Sequence, residues 1–146
     1  MKIEVRYQSL GGNTKRVAEE ISKYLDVTAK SIDNEINEKI DYLFIGGGVY
    51  KFGIDESLSM YIDKLDNKKI GMIVPFSTCA GFNLINKTIR EKSIEKNIPV
   101  YDKDLCIKFG FSGFKLFGLK GVKINREQIN QIKEFIDEFN KYKENN

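Results

Sequence analysis

Two stretches of this chain are apolar almost without a break: DYLFIGGG at 41–48 and KIGMIVPFST at 69–78. A strand with one face in water alternates apolar and polar residues, because successive side chains point to opposite sides. A run without that alternation reads as a strand covered on both faces, the condition of a parallel sheet held between helices. Two such strands must be joined by a crossover, which is right-handed.

The remainder of the chain falls into line with that requirement. KIEVRY (2–7) alternates and is predicted as the first strand, while the more polar VTAKSI (27–32) suits a sheet edge. After Thr14, Val17, Ala18, Ile21 and Leu25 recur at helical spacing, and Leu58, Tyr61, Ile62 and Leu65 do so within 56–65. A third helix is expected from Phe82 to Lys96, with Ile85, Ile89 and Ile94 inward and Pro99 marking its end. VYDKDLCIKF (100–109) is a fifth strand, and a last helix over Arg126 to Tyr142 carries Ile129, Ile132, Ile136 and Phe139. Only 33–39 joins the second and third strands, too short a link for a full helix. The expectation is an α/β, doubly wound, five-stranded parallel sheet in a three-layer αβα arrangement, one domain over 1–146.

Composition narrows the chemistry. Of the 146 residues, 41% are hydrophobic and 31% charged, the balance of an ordinary globular domain. No apolar run approaches the roughly 20 residues a membrane-spanning helix needs. The amino terminus reads as a strand rather than a leader, so a cytoplasmic location is expected. Histidine is absent, which removes His-based triads and most zinc sites from this chain and turns attention to a bound cofactor. The net charge of +3 does not call for nucleic acid. Cys79 and Cys106 form no CxxC pair, and two free thiols in a reducing compartment are expected.

In a doubly wound sheet, ligands bind beyond the carboxyl ends of the strands, where the winding reverses. Three segments are therefore of interest: SLGGNT (9–14), GGVYKFG (47–53) and FSTCAGF (76–82). The first opens a helix, whose unpaired N–H groups and dipole favour an anion. Gly11 and Gly12 let the backbone approach it, and Ser9, Asn13 and Thr14 offer side-chain donors. Lys15 and Arg16 stand in the first turn, where cations oppose the dipole; a bound phosphate would relieve that conflict, and water would solvate it. A helix capped by Asn or Ser over a glycine turn accounts for the same residues. No Lys-Ser/Thr follows the glycines, and the spacing is not GxGxxG. The other two segments bring aromatic residues, Tyr50, Phe52 and Phe82, beside the small polar Ser77, Thr78, Cys79 and Gly81, a setting for a flat ring system. Taken singly, each aromatic reads more readily as a core residue, with Phe82 the first buried residue of its helix; their joint placement is what favours the ring.

YQSLGGNTKRVAEEI resembles the phosphate-binding opening of flavodoxins, Ser/Thr-x-Thr-Gly-Asn-Thr before the first helix, and the length and element order are similar to a short-chain flavodoxin over nearly the whole chain. The resemblance implies strand order 2-1-3-4-5 and non-covalent FMN. Its phosphate would lie on Ser9, Leu10, Gly11, Gly12, Asn13 and Thr14. Its ring would lie between Gly48, Val49, Tyr50, Lys51 and Phe52 on one side and Ser77, Thr78, Cys79, Gly81 and Phe82 on the other, with Tyr50 the leading candidate for stacking. The implied role is electron carriage between redox proteins, a reductase and an acceptor, by a monomer. A small FMN-dependent quinone or protoporphyrinogen-type oxidoreductase on the same fold is the alternative.

The chain departs from the family pattern in four places. Gly11 stands where Thr is usual, and the second loop has its nearest glycine at Gly53, displaced from the peptide that flips toward reduced flavin N5 in the family. The chain is mildly basic where family carriers are acidic, with Lys108, Lys115, Lys120 and Lys123 and no carboxylate in 107–123. The same stretch and its start hold Phe109, Phe111, Phe114 and Phe117, either core beneath the last helix or an apolar patch at the ring or between chains.

Overall fold

The computed structural model describes residues 1–48, 53–79, 81–109 and 123–146. Five parallel strands form the sheet: β1 (Ile3–Tyr7), β2 (Ala29–Ser31), β3 (Ile40–Gly48), β4 (Ile70–Cys79) and β5 (Leu105–Lys108), in the order β2-β1-β3-β4-β5. Between them run α1 (Asn13–Leu25), α2 (Glu56–Asp63) and α3 (Leu84–Glu95), and α4 (Arg126–Asn145) closes the chain. The reversal of winding falls between β1 and β3, so their carboxyl ends frame the crevice that such sheets use for ligands. No helix among the described residues is long and apolar enough to cross a membrane.

The two near-continuous apolar runs are the central strands, and each feeds both faces. Phe44, Val74 and Phe76 turn toward α1 and α4, where they meet Val17, Ile21, Ile132 and Phe139. Leu43, Ile45 and Ile73 turn the other way, against Leu58 and Ile62 of α2 and Ile85 and Ile89 of α3. The first face is aromatic: Phe139 meets Tyr42, Phe44 and Tyr101 edge-on, with centroids 5.1, 4.9 and 5.6 Å apart. The second is aliphatic.

Several boundaries differ from expectation. The three glycines do not stop the third strand: Gly46, Gly47 and Gly48 stay paired with Phe76, Ser77 and Thr78 of β4. They serve packing, since a Cβ on Gly46 would stand 2.3 Å from the Phe76 ring and one on Gly47 2.6 Å from Leu58. Ile94 is 59% exposed, because the buried stripe of α3 runs Ile85, Ile89, Ser93 at steps of four and leaves Ile94 a hundred degrees round the helix. The fifth strand is shorter than 100–109: Val100 makes one isolated bridge to Ile73, and the chain then leaves the sheet to bury Tyr101 in the aromatic cluster before β5 begins. The short β2–β3 link carries no helix, as expected, and over it the Arg6 side chain is buried on Glu4 (2.6 Å) and the Asn34 carbonyl (3.2 Å).

Candidate functional site

The turn after β1 is built on Gly12, whose φ of 88° lies in the left-handed region that glycine enters without a side-chain clash. Ser9 Oγ accepts the Gly12 N–H at 3.0 Å, which folds the turn back on itself. The first helical hydrogen bond runs from Arg16 N–H to the Gly12 carbonyl at 3.1 Å, so the N–H groups of Asn13, Thr14 and Lys15 lie ahead of the helical ladder. No side chain caps this end, which removes the reading of a helix closed by its own Asn or Ser. By contrast, α2 is capped by Asp55, which accepts from Ser57 N–H at 2.8 Å, and α4 by a reciprocal Asn125–Gln128 pair.

Three polar side-chain atoms at the carboxyl end of β1 and the start of α1 are shielded from solvent and have no hydrogen-bond partner among the described residues: Gln8 Oε1, Asn13 Oδ1 and Arg16 Nη1. Such atoms are uncommon, since leaving a buried donor or acceptor unpaired costs about 1–3 kcal/mol. Arg16 Nη1 lies 3.4 Å from where a side chain on Gly12 would begin, so the cation stands beside the turn. The first turn of α1 holds no carboxylate. N–H groups ahead of the helical ladder, an unpaired guanidinium nitrogen and a first turn without a carboxylate form a donor set that suits a phosphate anion.

The third segment begins as strand, because β4 continues to Cys79. Its side chains therefore alternate, and the expected group of small polar residues is split between the two faces of the sheet. Thr78 turns to the α1 side, where its hydroxyl meets that of Thr14 at 2.8 Å in a buried contact linking the first segment to the third. Ser77 turns the other way and donates to Asn83 Oδ1 at 3.3 Å; Asn83 Nδ2 in turn donates to Asp104 at 2.7 Å. Asn86, fully buried, donates to Asp104 at 3.2 Å and to the Leu105 carbonyl at 2.9 Å. Neither Asn83, Asn86 nor Asp104 was flagged by the sequence, since nothing local to them announces a contact across some twenty residues.

Cys79 is not a free thiol. It is joined to Cys106 in a disulfide, Cα atoms 6.5 Å apart, that staples β4 to β5. The register explains the meeting: Cys106 stands opposite Ser77 and Lys108 opposite Cys79, so the two cysteines lie diagonally on one face. Parallel pairing of strands distant in sequence brought them together, which spacing alone could not show.

Of the remaining predicted residues, Leu10 and Gly11 are exposed at the tip of the first turn, and Gly48 is buried beside Thr78. Gly81 is exposed and Phe82 is 87% exposed, ahead of α3 rather than its first buried residue. Val49, Tyr50, Lys51 and Phe52 lie outside the described residues, as do Phe111, Phe114, Phe117, Lys115 and Lys120; Phe109 packs against the aromatic core. A cavity of about 550 Å³ runs along α2, lined by Ile36, Tyr61 and Lys69 among others, and includes none of the three segments.

A parallel sheet with this order, with helices packed on both faces, defines a flavodoxin-like α/β protein. The sequence profile of the flavodoxin domain matches residues 4–106, and the chain belongs to that family. No protein of curated function matches it in sequence. Among solved structures, it is similar to oxidised flavodoxin 2 from Bacillus cereus, with TM-score 0.70 and 17% identity over 97% of this chain and 99% of that one. A flavoprotein in complex with FMN from Lactobacillus acidophilus matches with TM-score 0.59 and 18% identity over 73% and 92%. The rubredoxin oxygen:oxidoreductase of Desulfovibrio gigas matches with TM-score 0.70 and 10% identity over 91% of this chain but 33% of its own.

Proposed function

We infer that this chain binds FMN non-covalently and carries electrons between a reductase and an acceptor protein. The observation that carries the reading is the uncapped α1 turn with its unpaired Arg16 Nη1, in a fold shared with flavodoxins and with an FMN-bound flavoprotein. Bound FMN would supply the redox chemistry. The chain's own residues then do three things. The N–H groups of Asn13, Thr14 and Lys15 and the Arg16 side chain would hold the phosphate. The Thr14–Thr78 contact fixes the phosphate turn against the third segment, so both meet one ligand at a set spacing. The segments at 48–53 and 77–82 would flank the ring, with Tyr50, outside the described residues, the candidate for stacking.

The test is calorimetric titration of FMN into the purified chain together with an absorbance spectrum during stepwise reduction. A colourless chain that gives no heat with FMN overturns the reading. The second reading, a small FMN-dependent oxidoreductase, draws support from the oxidoreductase that carries this fold within a longer chain. Mixing the FMN-loaded protein with NAD(P)H and a quinone separates the two. Steady turnover without a reductase supports the oxidoreductase; inertness, with rapid reduction by a flavoprotein reductase, supports the carrier.

A further inference from the structure

Cys79 and Cys106 are the only cysteines of the chain, and they are bonded to each other. The backbone holds the two strands without that bond. β4 and β5 pair from Phe76 with Leu105 to Cys79 with Lys108, and the Phe109 N–H donates to the Cys79 carbonyl at 3.1 Å. From α4, Gln131 and Gln128 donate to the Cys106 and Lys108 carbonyls at 3.2 and 2.7 Å. Small domains that depend on disulfides are those too small to build a sufficient core, whereas here a buried apolar cluster lies on each face of the sheet. The bond therefore joins segments that are already fixed, and opening it leaves them in place. Its two sulfurs are not equivalent. Cys79 is 6% exposed, whereas Cys106 is half-buried. Lys108, exposed, stands opposite Cys79 on the face that carries both cysteines. Asp104, two residues before Cys106, is already engaged by Arg90 at 3.5 Å and by the amides of Asn83 and Asn86.

We propose that Cys79–Cys106 is a reversible thiol–disulfide exchange centre, with Cys106 the sulfur attacked, Lys108 the cation beside the leaving sulfur, and a dithiol the electron donor. A thiolate of the dithiol attacks the Cys106 sulfur, the more accessible of the two. The bond between the cysteines breaks, and Cys79 leaves as a thiolate that takes up a proton. A leaving thiolate departs faster when it is stabilised, and the Lys108 ammonium on the same face does that. The second thiol of the donor then attacks its own mixed disulfide, releases Cys106 as a thiol, and closes the donor into a disulfide. Two electrons and two protons pass from the donor to the chain. The exchange needs only sulfur and does not rest on the cofactor reading.

The full chain as purified tests this, incubated in native buffer with dihydrolipoamide or with reduced thioredoxin and followed by alkylation and mass. Both thiols are expected to appear together, about tenfold or more faster than the chain unfolds, with the far-ultraviolet circular dichroism unchanged. The faster donor names the source, a small dithiol or a dithiol protein. Oxidised lipoamide then restores the bond without refolding. In Cys79→Ser, the Cys106 thiol should form a mixed disulfide with oxidised glutathione about tenfold faster than Cys79 does in Cys106→Ser. Lys108→Gln should slow opening by about three- to tenfold. Thiols that appear no faster than unfolding, or reduction that melts the sheet, overturn the proposal. Equal rates in the two serine variants overturn the assignment of Cys106, and an unchanged rate in Lys108→Gln overturns the part given to Lys108. A chain that ignores FMN but opens and closes its bond in this way removes the cofactor reading and keeps the exchange centre.

Discussion

The turn after β1 and the segment after β4 meet at one contact, Thr14 with Thr78, yet they are held in opposite ways. The third segment is secured by the protein itself. Cys79 is bonded to Cys106, Ser77 reaches Asn83, and Asn83 and Asn86 grip Asp104 at the approach to β5. The first turn is held by a left-handed glycine and one serine oxygen, and it keeps unpaired polar atoms on Asn13 and Arg16. One wall of the crevice is paired within the folded chain; the other keeps polar atoms without a partner among the described residues. Under the proposed function, those unpaired polar atoms would be the ones a ligand pairs.

The largest way to break that comparison is to cut the staple. The disulfide closes a separation of 27 residues, and the loop-entropy relation assigns such a bridge about 3–4 kcal/mol. Reduction, or Cys79→Ala with Cys106→Ala, should lower the free energy of unfolding by an amount near that, read by urea titration with and without reductant. If reduction leaves stability unchanged, the third segment does not depend on its covalent tie. Alkylation before and after reduction gives an independent count of accessible thiols.

A smaller effect belongs to the hydroxyl pair. Thr14→Val strands the Thr78 hydroxyl in a buried place and should cost about 1–3 kcal/mol, while Thr14→Val with Thr78→Val should cost less than the sum of the two single changes. A double-mutant cycle that shows no coupling would mean the two segments are positioned separately.

Gly12→Ala sharpens the contrast from the other side. A side chain at φ 88° costs about 1–2 kcal/mol, and its Cβ would meet Arg16 Nη1 at 3.4 Å. Affinity for FMN should therefore fall along with stability. No equivalent loss of stability is expected from Gly53→Ala, where no atom of the described residues other than its chain neighbours lies within 4 Å and no positive φ constrains the backbone.

The smallest effect concerns the body beneath both segments. Burial raises the pKa of Tyr42, Tyr61 and Tyr101 above the usual tyrosine value. The folded state then holds these protons where the unfolded chain releases them. Their contribution is complete below about pH 10 and is lost as pH rises through the folded values. Unfolding titrations between pH 9 and 12 should show stability declining above about pH 10; a flat profile would contradict the burial argument.

Much of this was legible in the sequence, for definite reasons. Continuous apolar runs identify strands covered on both sides, and helical spacing identifies what covers them, so the layered sheet and most elements follow from period alone. The Gly-Gly-Asn-Thr turn was legible because left-handed backbone at a helix start demands glycine locally. Misjudged points all depended on partners far along the chain. Nothing in the sequence says that Gly46 makes room for Phe76, that Ser93 rather than Ile94 faces inward, or that Cys79 meets Cys106.

Local backbone preference and hydrophobic period act over a few residues, and they determined the fold class, the strand and helix order and the place of the glycine turn. Only the tertiary structure decided which donors at that turn go unpaired, because pairing is a census of every neighbour in space. It also decided which face of the sheet each residue of 77–79 occupies, since one more strand residue turns each successive side chain to the opposite side.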